Sequence, residues 1–154
     1  MEITENQARA NGRDLPISTK HAIEICNFIR GKPLSKAKKI LARVLDMKQA
    51  IPMNRFNKDR GHKPGNISAG QYPLKASEEI LQLLDGVEAN AQNKGLDTAS
   101  LIIKTIIPNK ASRPWHYGRQ KRRKTKRTHI SIIVEEVKKE TSKKETSKKE
   151  EHKK

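Results

Sequence analysis

Seven lysines and arginines occupy nine consecutive positions of the chain, 119–127, and the aromatic group Trp115, His116 and Tyr117 lies just before them. Cations at this density attract polyanions, whose condensed counterions are released on binding. Rings beside cations also stack on unpaired bases. We therefore predict a nucleic-acid contact. The alternatives are that the rings close a hairpin as a small hydrophobic cluster, and that the cations form a solvated face or a localisation signal.

The charge of the whole chain favours the same class of partner. Its 154 residues carry 34 lysines and arginines against 17 aspartates and glutamates, and no acidic residue lies from Thr98 through Val134. The sequence has no long apolar span, no basic amphipathic helix with aromatic anchors and no lipidation signal, so no membrane partner is expected. The N-terminal segment lacks the apolar core of a secretory signal, and a lone cysteine excludes an intrachain disulfide framework. A cytoplasmic protein is expected.

Residues that enzymes use are present but are not arranged for catalysis. The five histidines are scattered without metal-site spacing, and the chain has no phosphate-binding glycine loop and no nucleophile elbow. Glu78 and Glu79 are adjacent on a predicted helix and do not face each other. Cys26 lies on an apolar helix stripe, which favours a buried thiol over a reactive one. We predict no enzyme activity, no catalytic residue, no metal site and no cofactor.

Three amphipathic helices are predicted ahead of the basic segment. The first runs from Ser18, which can cap it, to a left-handed stop at Gly31. The second follows Pro33, and the third lies between Pro73 and Gly95. Their apolar stripes, in order, are Ala22, Ile25, Cys26 and Ile29; Ala37, Ile40, Leu41 and Val44; and Ile80, Leu83, Leu84, Val87 and Ala91.

Two details of these helices are also expected. Lysines and arginines of the second helix should mostly face outward, namely Lys36, Lys38, Lys39 and Arg43. Gly86 weakens the third helix by about 1 kcal/mol relative to alanine, and we expect it to allow close packing there.

The strands are predicted from β-branched runs. The segment LIIKTII, residues 101–107, is continuously apolar, whereas HISIIVEE alternates so that Ile130, Ile132 and Val134 share one face. With the basic segment between them they predict a long hairpin at about residues 100–134. Residues 2–10 could add an edge strand. Residues 51–73 form a long connection without periodicity, which is usually functional or disordered. Residues 138–154 repeat KKETS-like units with nothing to bury, and we expect a disordered Lys/Glu-rich tail.

Five sequence blocks resemble one known family over about residues 2–137. They are ARANGRDLPISTKHAIEICNFIRGKPLSKAKKIL, NRFNKDRGHKPG followed by GQYPLKA, EANAQNKGLD, PWHYGR and KRTHISIIVEE. In this order they are similar to the first two helices, the archaeal and eukaryotic insertion, the end of the long helix, the hairpin tip and the returning arm of the large-subunit ribosomal protein twenty-two family. The archaeal type fits best. Trp115 and His116 depart from the usual basic and small residues near the tip.

The resemblance implies an α+β fold of three helices packed on a small three-stranded antiparallel sheet, with one long projecting β-hairpin. It implies a single ribosomal RNA-binding domain at residues 1–137 and a structural role in the large ribosomal subunit, in the cytoplasm. The implied partners are large-subunit ribosomal RNA, neighbouring large-subunit proteins and the nascent peptide, because the family's hairpin lines the exit tunnel. No homo-oligomer is expected. The alternative that charge alone allows is a basic DNA-compacting chromosomal protein.

The predicted site residues follow from the basic segments and this resemblance. The predicted RNA-binding residues are Lys20, Arg30, Lys32, Arg55, Asn57, Lys58, Arg60, His62, Lys63, Lys104, Lys110, Arg113, Arg119, Lys121, Arg122, Arg123, Lys124, Lys126 and Arg127. Trp115, His116 and Tyr117 are the predicted tunnel-facing tip of the hairpin.

Overall fold

The structure, a computed structural model, describes residues 5–137. The elements are β1 (Gln7–Leu15), α1 (Thr19–Ile29), α2 (Leu34–Leu45), β2 (Ile51–Pro52), β3 (Gly70–Gln71), α3 (Leu74–Asn93), β4 (Leu101–Lys110) and β5 (Thr128–Glu136), with short 3-10 turns at Thr98–Ser100 and Gly118–Gln120. The predicted disordered tail at 138–154 lies outside the described residues. The predicted N-terminal edge strand exists, but it is shifted from residues 2–10 to Gln7–Leu15.

Three strands form an antiparallel sheet in the order β1-β5-β4, which confirms the predicted α+β class. β5 is the central strand: Val134 lies opposite Ala8 of β1 on one side and Ile103 of β4 on the other. The long connection between α2 and α3 is not without structure, because β2 and β3 pair as a second, two-stranded sheet. We call residues 53–69, which connect β2 to β3, the insertion loop.

The core lies between the helices and one face of the sheet. The buried face predicted for β5 is confirmed, since Ile130, Ile132 and Val134 are fully buried, and Ile133 between them is also nearly buried at 8% exposure. The predicted helix stripes are buried too, except that Leu83 is only partly buried. Cys26 lies in the core, and burial raises the pKa of its thiol to about 12, so it is protonated and unreactive at neutral pH.

The ends of α1 bind it to the hairpin strands. At its start, Thr19 and the buried Thr128 share a hydroxyl hydrogen bond of 2.9 Å, and Thr128 also donates to the Ile17 carbonyl. After its end, Gly31 (φ +72°) donates from its backbone N–H to the Ile103 carbonyl of β4, at 2.9 Å. The hydroxyl pair fixes the amino end of α1 beside the start of β5, and the Gly31 bond fixes its carboxyl end to β4. Gly31 therefore stops the helix as predicted.

The capping prediction for Ser18 is only half correct. Ser18 occupies the N-cap position with extended backbone, but its side chain makes no capping hydrogen bond. Since the first N–H groups of a helix have no intrahelical partner, the amino end of α1 keeps donors that a side chain does not satisfy.

The close approach expected at Gly86 occurs at another glycine. Gly86 is exposed, and a Cβ built there would meet no heavy atom within 4 Å. At Gly12 of β1, a Cβ would lie 2.7 Å from Leu83 Cδ1 and 2.9 Å from Leu15 Cδ1. The missing side chain of Gly12 is therefore what lets α3 pack closely on the sheet.

The outward orientation predicted for Lys38 is also wrong. Its side chain is only 22% exposed and forms salt bridges with Asp85 and Glu88 of α3. It links α2 to α3, whereas Lys36, Lys39 and Arg43 are exposed as predicted.

Candidate nucleic-acid interface

The hairpin continues beyond the part of the sheet that the helices cover. β4 and β5 remain paired as far as Lys110 opposite Thr128. Three backbone hydrogen bonds then link the two arms further out: Ala111 to Arg127 (3.3 Å), Thr125 to Pro114 (3.0 Å) and His116 to Arg123 (2.9 Å). Nearly all residues of these outer arms are exposed. The predicted hairpin is thus a two-stranded arm with a basic surface.

The aromatic group lies next to the turn of the hairpin. The chain reverses at Gly118–Gln120, where Gly118 has φ +66°, a backbone conformation that favours glycine. Trp115 and His116 lie on the outgoing arm, and Tyr117 borders the turn. Trp115 is 60% exposed with Lys124 Nζ 4.1 Å from its ring centroid, and Tyr117 is 94% exposed. The rings therefore do not form a buried cluster that closes the hairpin.

A concave surface of about 640 Å³ lies where the hairpin leaves the globular part. Its floor is the amino end of α1, from Ser18 to Ile23, one wall is the insertion loop with Phe56 and Arg60, and the other wall is the two hairpin arms. We call it the root groove. Six of the predicted RNA-binding cations line it together: Lys20, Arg60, Lys110, Arg113, Lys126 and Arg127.

A buried carboxylate positions the loop wall of this groove. Glu24 of α1 is only 2% exposed, and its Oε1 accepts hydrogen bonds of 2.8 Å from the backbone N–H groups of both Arg55 and Phe56. These bonds tie the first part of the insertion loop to the helix. The only signal for this role in the sequence is an acidic residue within the predicted helix.

His21 is a groove residue that the sequence analysis did not select. It is half-buried, and burial lowers its pKa below 6.5, with Arg60 and Lys126 lowering it further by their positive charges. The imidazole is therefore neutral at pH 7. An anion placed among these groups would favour the protonated ring instead.

Other predicted site residues lie outside the groove. Arg119, Lys121, Arg122 and Arg123 surround a shallow concavity at the hairpin turn. Arg55, Asn57, Lys58, His62 and Lys63 belong to the insertion loop, where Lys63 Nζ lies 5.6 Å from the ring centroid of Tyr72.

Three predicted cations outside the groove form polar contacts with other protein groups. Arg30 donates to the Ile106 carbonyl at 2.9 Å, and Lys104 pairs with Glu135 at 2.9 Å. Lys32 donates to the Phe28 carbonyl, and its pKa is lowered by burial and by Lys36. These contacts satisfy part of the hydrogen-bonding capacity of each cation. In the groove, Arg113 Nε likewise donates to the Thr125 carbonyl at 3.4 Å.

Within residues 5–137, no three His, Cys, Asp or Glu side chains are grouped so that they could hold a metal ion. Over the same residues, no helix is long and apolar enough to cross a membrane.

Comparison with known proteins identifies relatives over most of the chain. A family model described as ribosomal protein L22p/L17e matches residues 10–135. The chain is 45% identical to large ribosomal subunit protein uL22 of Methanopyrus kandleri over 141 residues, which cover 86% of this chain and 88% of that protein. The protein of the same name from Methanococcus aeolicus is 43% identical over 84% of this chain, and that from Methanocaldococcus jannaschii is 42% identical over 86% of it. Each alignment covers 89% of the relative's own length. These relatives are archaeal.

Proposed function

Because the chain belongs to the ribosomal protein L22p/L17e family, we propose that it binds ribosomal RNA and that its hairpin lines the nascent-peptide exit tunnel. Membership of this family also makes the chain a noncatalytic component of the large ribosomal subunit in the cytoplasm. Family membership decides against the DNA-compacting chromosomal protein that charge alone allows. We further propose that residues 1–137 act as one RNA-binding domain, without homo-oligomers, next to neighbouring large-subunit proteins.

The observation that carries this proposal is the form and charge of the hairpin. A two-stranded arm with exposed cations on both strands, and without an acidic residue from Thr98 through Val134, suits insertion between RNA segments, because phosphates on either side neutralise repulsion between its arms. A solvated charged face would not require paired strands to carry the cations away from the core.

The exposed rings support a tunnel position for the turn. A Tyr117 side chain that is 94% exposed has no protein core to join, so it is available to stack on RNA bases or to face a passing peptide. Trp115, with Lys124 near its ring, has the same options.

Site-specific crosslinking tests the tunnel placement. A photoreactive residue at Tyr117 should crosslink to radiolabelled nascent chains in stalled ribosomes, whereas the same group at Met47, which is 59% exposed and follows the carboxyl end of α2, should not. Crosslinks from Met47 but not from Tyr117 would contradict the placement. Absence of the protein from large subunits separated by sedimentation would contradict RNA binding in the subunit altogether.

A further inference from the structure

We propose that the root groove holds a single strand of RNA, with its sugar-phosphate backbone between the loop wall and the hairpin wall and an unpaired base against Phe56. This inference rests on the proposed RNA-binding function and adds the site and the form of the ligand.

The charges of the groove favour a polyanion as its ligand. Six cations from three separate parts of the chain face one concavity, and no acidic residue lines it among the described residues. Among these six cations, and within residues 5–137, only Arg127 pairs with an acidic residue, its Nη1 lying 3.9 Å from Asp14 Oδ1. Holding this many like charges together is unfavourable without counterions, and a chain of phosphates supplies them at regular spacing.

The shape of the groove favours one strand over a duplex. Its volume of about 640 Å³ lies within the range of about 300–1,000 Å³ that is typical of sites enclosing one small molecule. A duplex presents its phosphates on a wide convex surface, which would contact the rims of such a groove and leave the floor unfilled. A single strand can enter it lengthwise.

The floor and the loop wall offer groups for a base as well as for phosphates. Ile23 and Phe56 place apolar surface among the cations, and proteins that bind single strands combine a basic groove with aromatic rings on which bases stack. Lys20 Nζ lies 5.6 Å from the centroid of the Phe56 ring, so a cation and a ring occur together, as a nucleotide with its phosphate and base requires. The unsatisfied N–H groups at the start of the 11-residue α1 lie on the same floor and add donors for phosphate oxygens.

The positions of the walls do not depend on the ligand. Glu24 anchors the loop wall, and the hydroxyl pair of Thr19 and Thr128 anchors the floor to the hairpin wall. The groove is therefore formed in the free protein, and binding does not have to order it.

Binding of short RNAs to the full chain tests this inference. Fluorescence anisotropy would measure the affinity of each protein for a labelled single strand and for a duplex of the same length. The proteins are the wild type, the groove variant Arg60→Gln/Lys126→Gln and the control variant Lys39→Gln/Arg43→Gln. Both cations replaced in the control are exposed on α2. The wild type should prefer the single strand. The groove variant should lose at least tenfold in affinity, and its slope of log affinity against log salt should decrease by about 1.4, since each phosphate contact to a single strand contributes about 0.7.

A second variant tests the base contact separately. Phe56→Leu keeps the backbone N–H that Glu24 accepts but removes the ring, so it should weaken single-strand binding by roughly fivefold or more and leave duplex binding unchanged. Imidazole resonances of His21 should shift on addition of the single strand and much less with the duplex. These resonances are measured in the wild-type protein, so they report on the groove even if a variant folds poorly.

The outcomes separate this inference from the proposed function. Equal losses in the groove variant and the α2 control, a preference for the duplex, or no effect of Phe56→Leu would overturn the groove assignment. If the groove variant still enters large subunits normally and binds RNA like the wild type, the groove assignment is wrong and the ribosomal function stands. If the wild-type protein binds no RNA, the proposed function fails as well.

Discussion

Replacing Glu24 by alanine should release the insertion loop from α1 and destabilise the protein. Glu24 is only 2% exposed and accepts two backbone hydrogen bonds of 2.8 Å, from Arg55 and Phe56. Hydrogen bonds to a charged group contribute about 1.5–3 kcal/mol each to stability. The two bonds are only partly buried, so water can reach the freed N–H groups of the loop. We therefore expect a loss of about 2–4 kcal/mol in the free energy of unfolding, below the sum of the two full values.

Glu24→Gln is the matched control. It keeps an oxygen of nearly the same position and size but lacks the charge, and neutral hydrogen bonds contribute about 0.5–1.5 kcal/mol each. The glutamine variant should therefore lose about half as much stability as the alanine variant. Urea denaturation gives both values from the midpoint and slope of each transition.

Amide hydrogen exchange locates the effect. In Glu24→Ala the amides of Arg55 and Phe56 should exchange much faster than in the wild type, while those of Ile132 and Val134 in the central strand should remain protected at the lower global stability. RNA affinity should also decrease, because Phe56 and Arg60 form the loop wall of the root groove. If Glu24→Ala unfolds at the wild-type midpoint with both loop amides still protected, then the carboxylate does not hold the loop.

Further predictions concern the core, the helices and pH. Leu84 is fully buried on α3, so Leu84→Ala should lower the free energy of unfolding by roughly 2–5 kcal/mol in urea denaturation. Lys39 is exposed, so Lys39→Ala should change it by no more than about ±0.5 kcal/mol, and an equally small effect of Leu84→Ala would contradict the buried face. Gly86→Ala should stabilise by up to about 1 kcal/mol, since a Cβ there meets nothing within 4 Å, and a lower thermal midpoint would show an unrecognised constraint. Burial, Arg60 and Lys126 lower the pKa of His21 in the folded protein, so the unfolded chain binds the proton more readily and wild-type stability should fall as the pH drops below 6.5. The difference in stability between the wild type and His21→Asn should therefore change over this range, and parallel pH profiles would contradict it.

The helices and the central strand were predictable because their signal is local. Apolar side chains recur at helical spacing in each helix segment, and Ile130, Ile132 and Val134 alternate, so each element carries its own buried face. Gly31 and Gly95 have φ of +72° and +73°, and they mark helix ends that the sequence indicated. The basic hairpin was likewise evident from a cation run between two β-branched segments.

The failed expectations for Gly86 and Lys38 concern contacts between distant segments. Gly86 looked like the packing glycine because it lies in a helix, yet Leu83 meets Gly12, which is far away in sequence. Lys38 has outward spacing on its own helix but reaches Asp85 and Glu88 on another. A periodic pattern reports which face of an element is buried and does not report what lies opposite that face.

The sequence by itself determined the element types and the family and indicated the class of partner, because charge, periodicity and motif order are properties of the chain read along its length. Only the tertiary structure decided which cations lie together. Lys20, Arg60 and Lys126 are scattered along the chain, and they meet in one groove because Thr19 and Thr128 join α1 to the hairpin root and Glu24 anchors the insertion loop. Those anchors are hydrogen bonds between residues 31 to 109 positions apart, and no local pattern encodes such a separation.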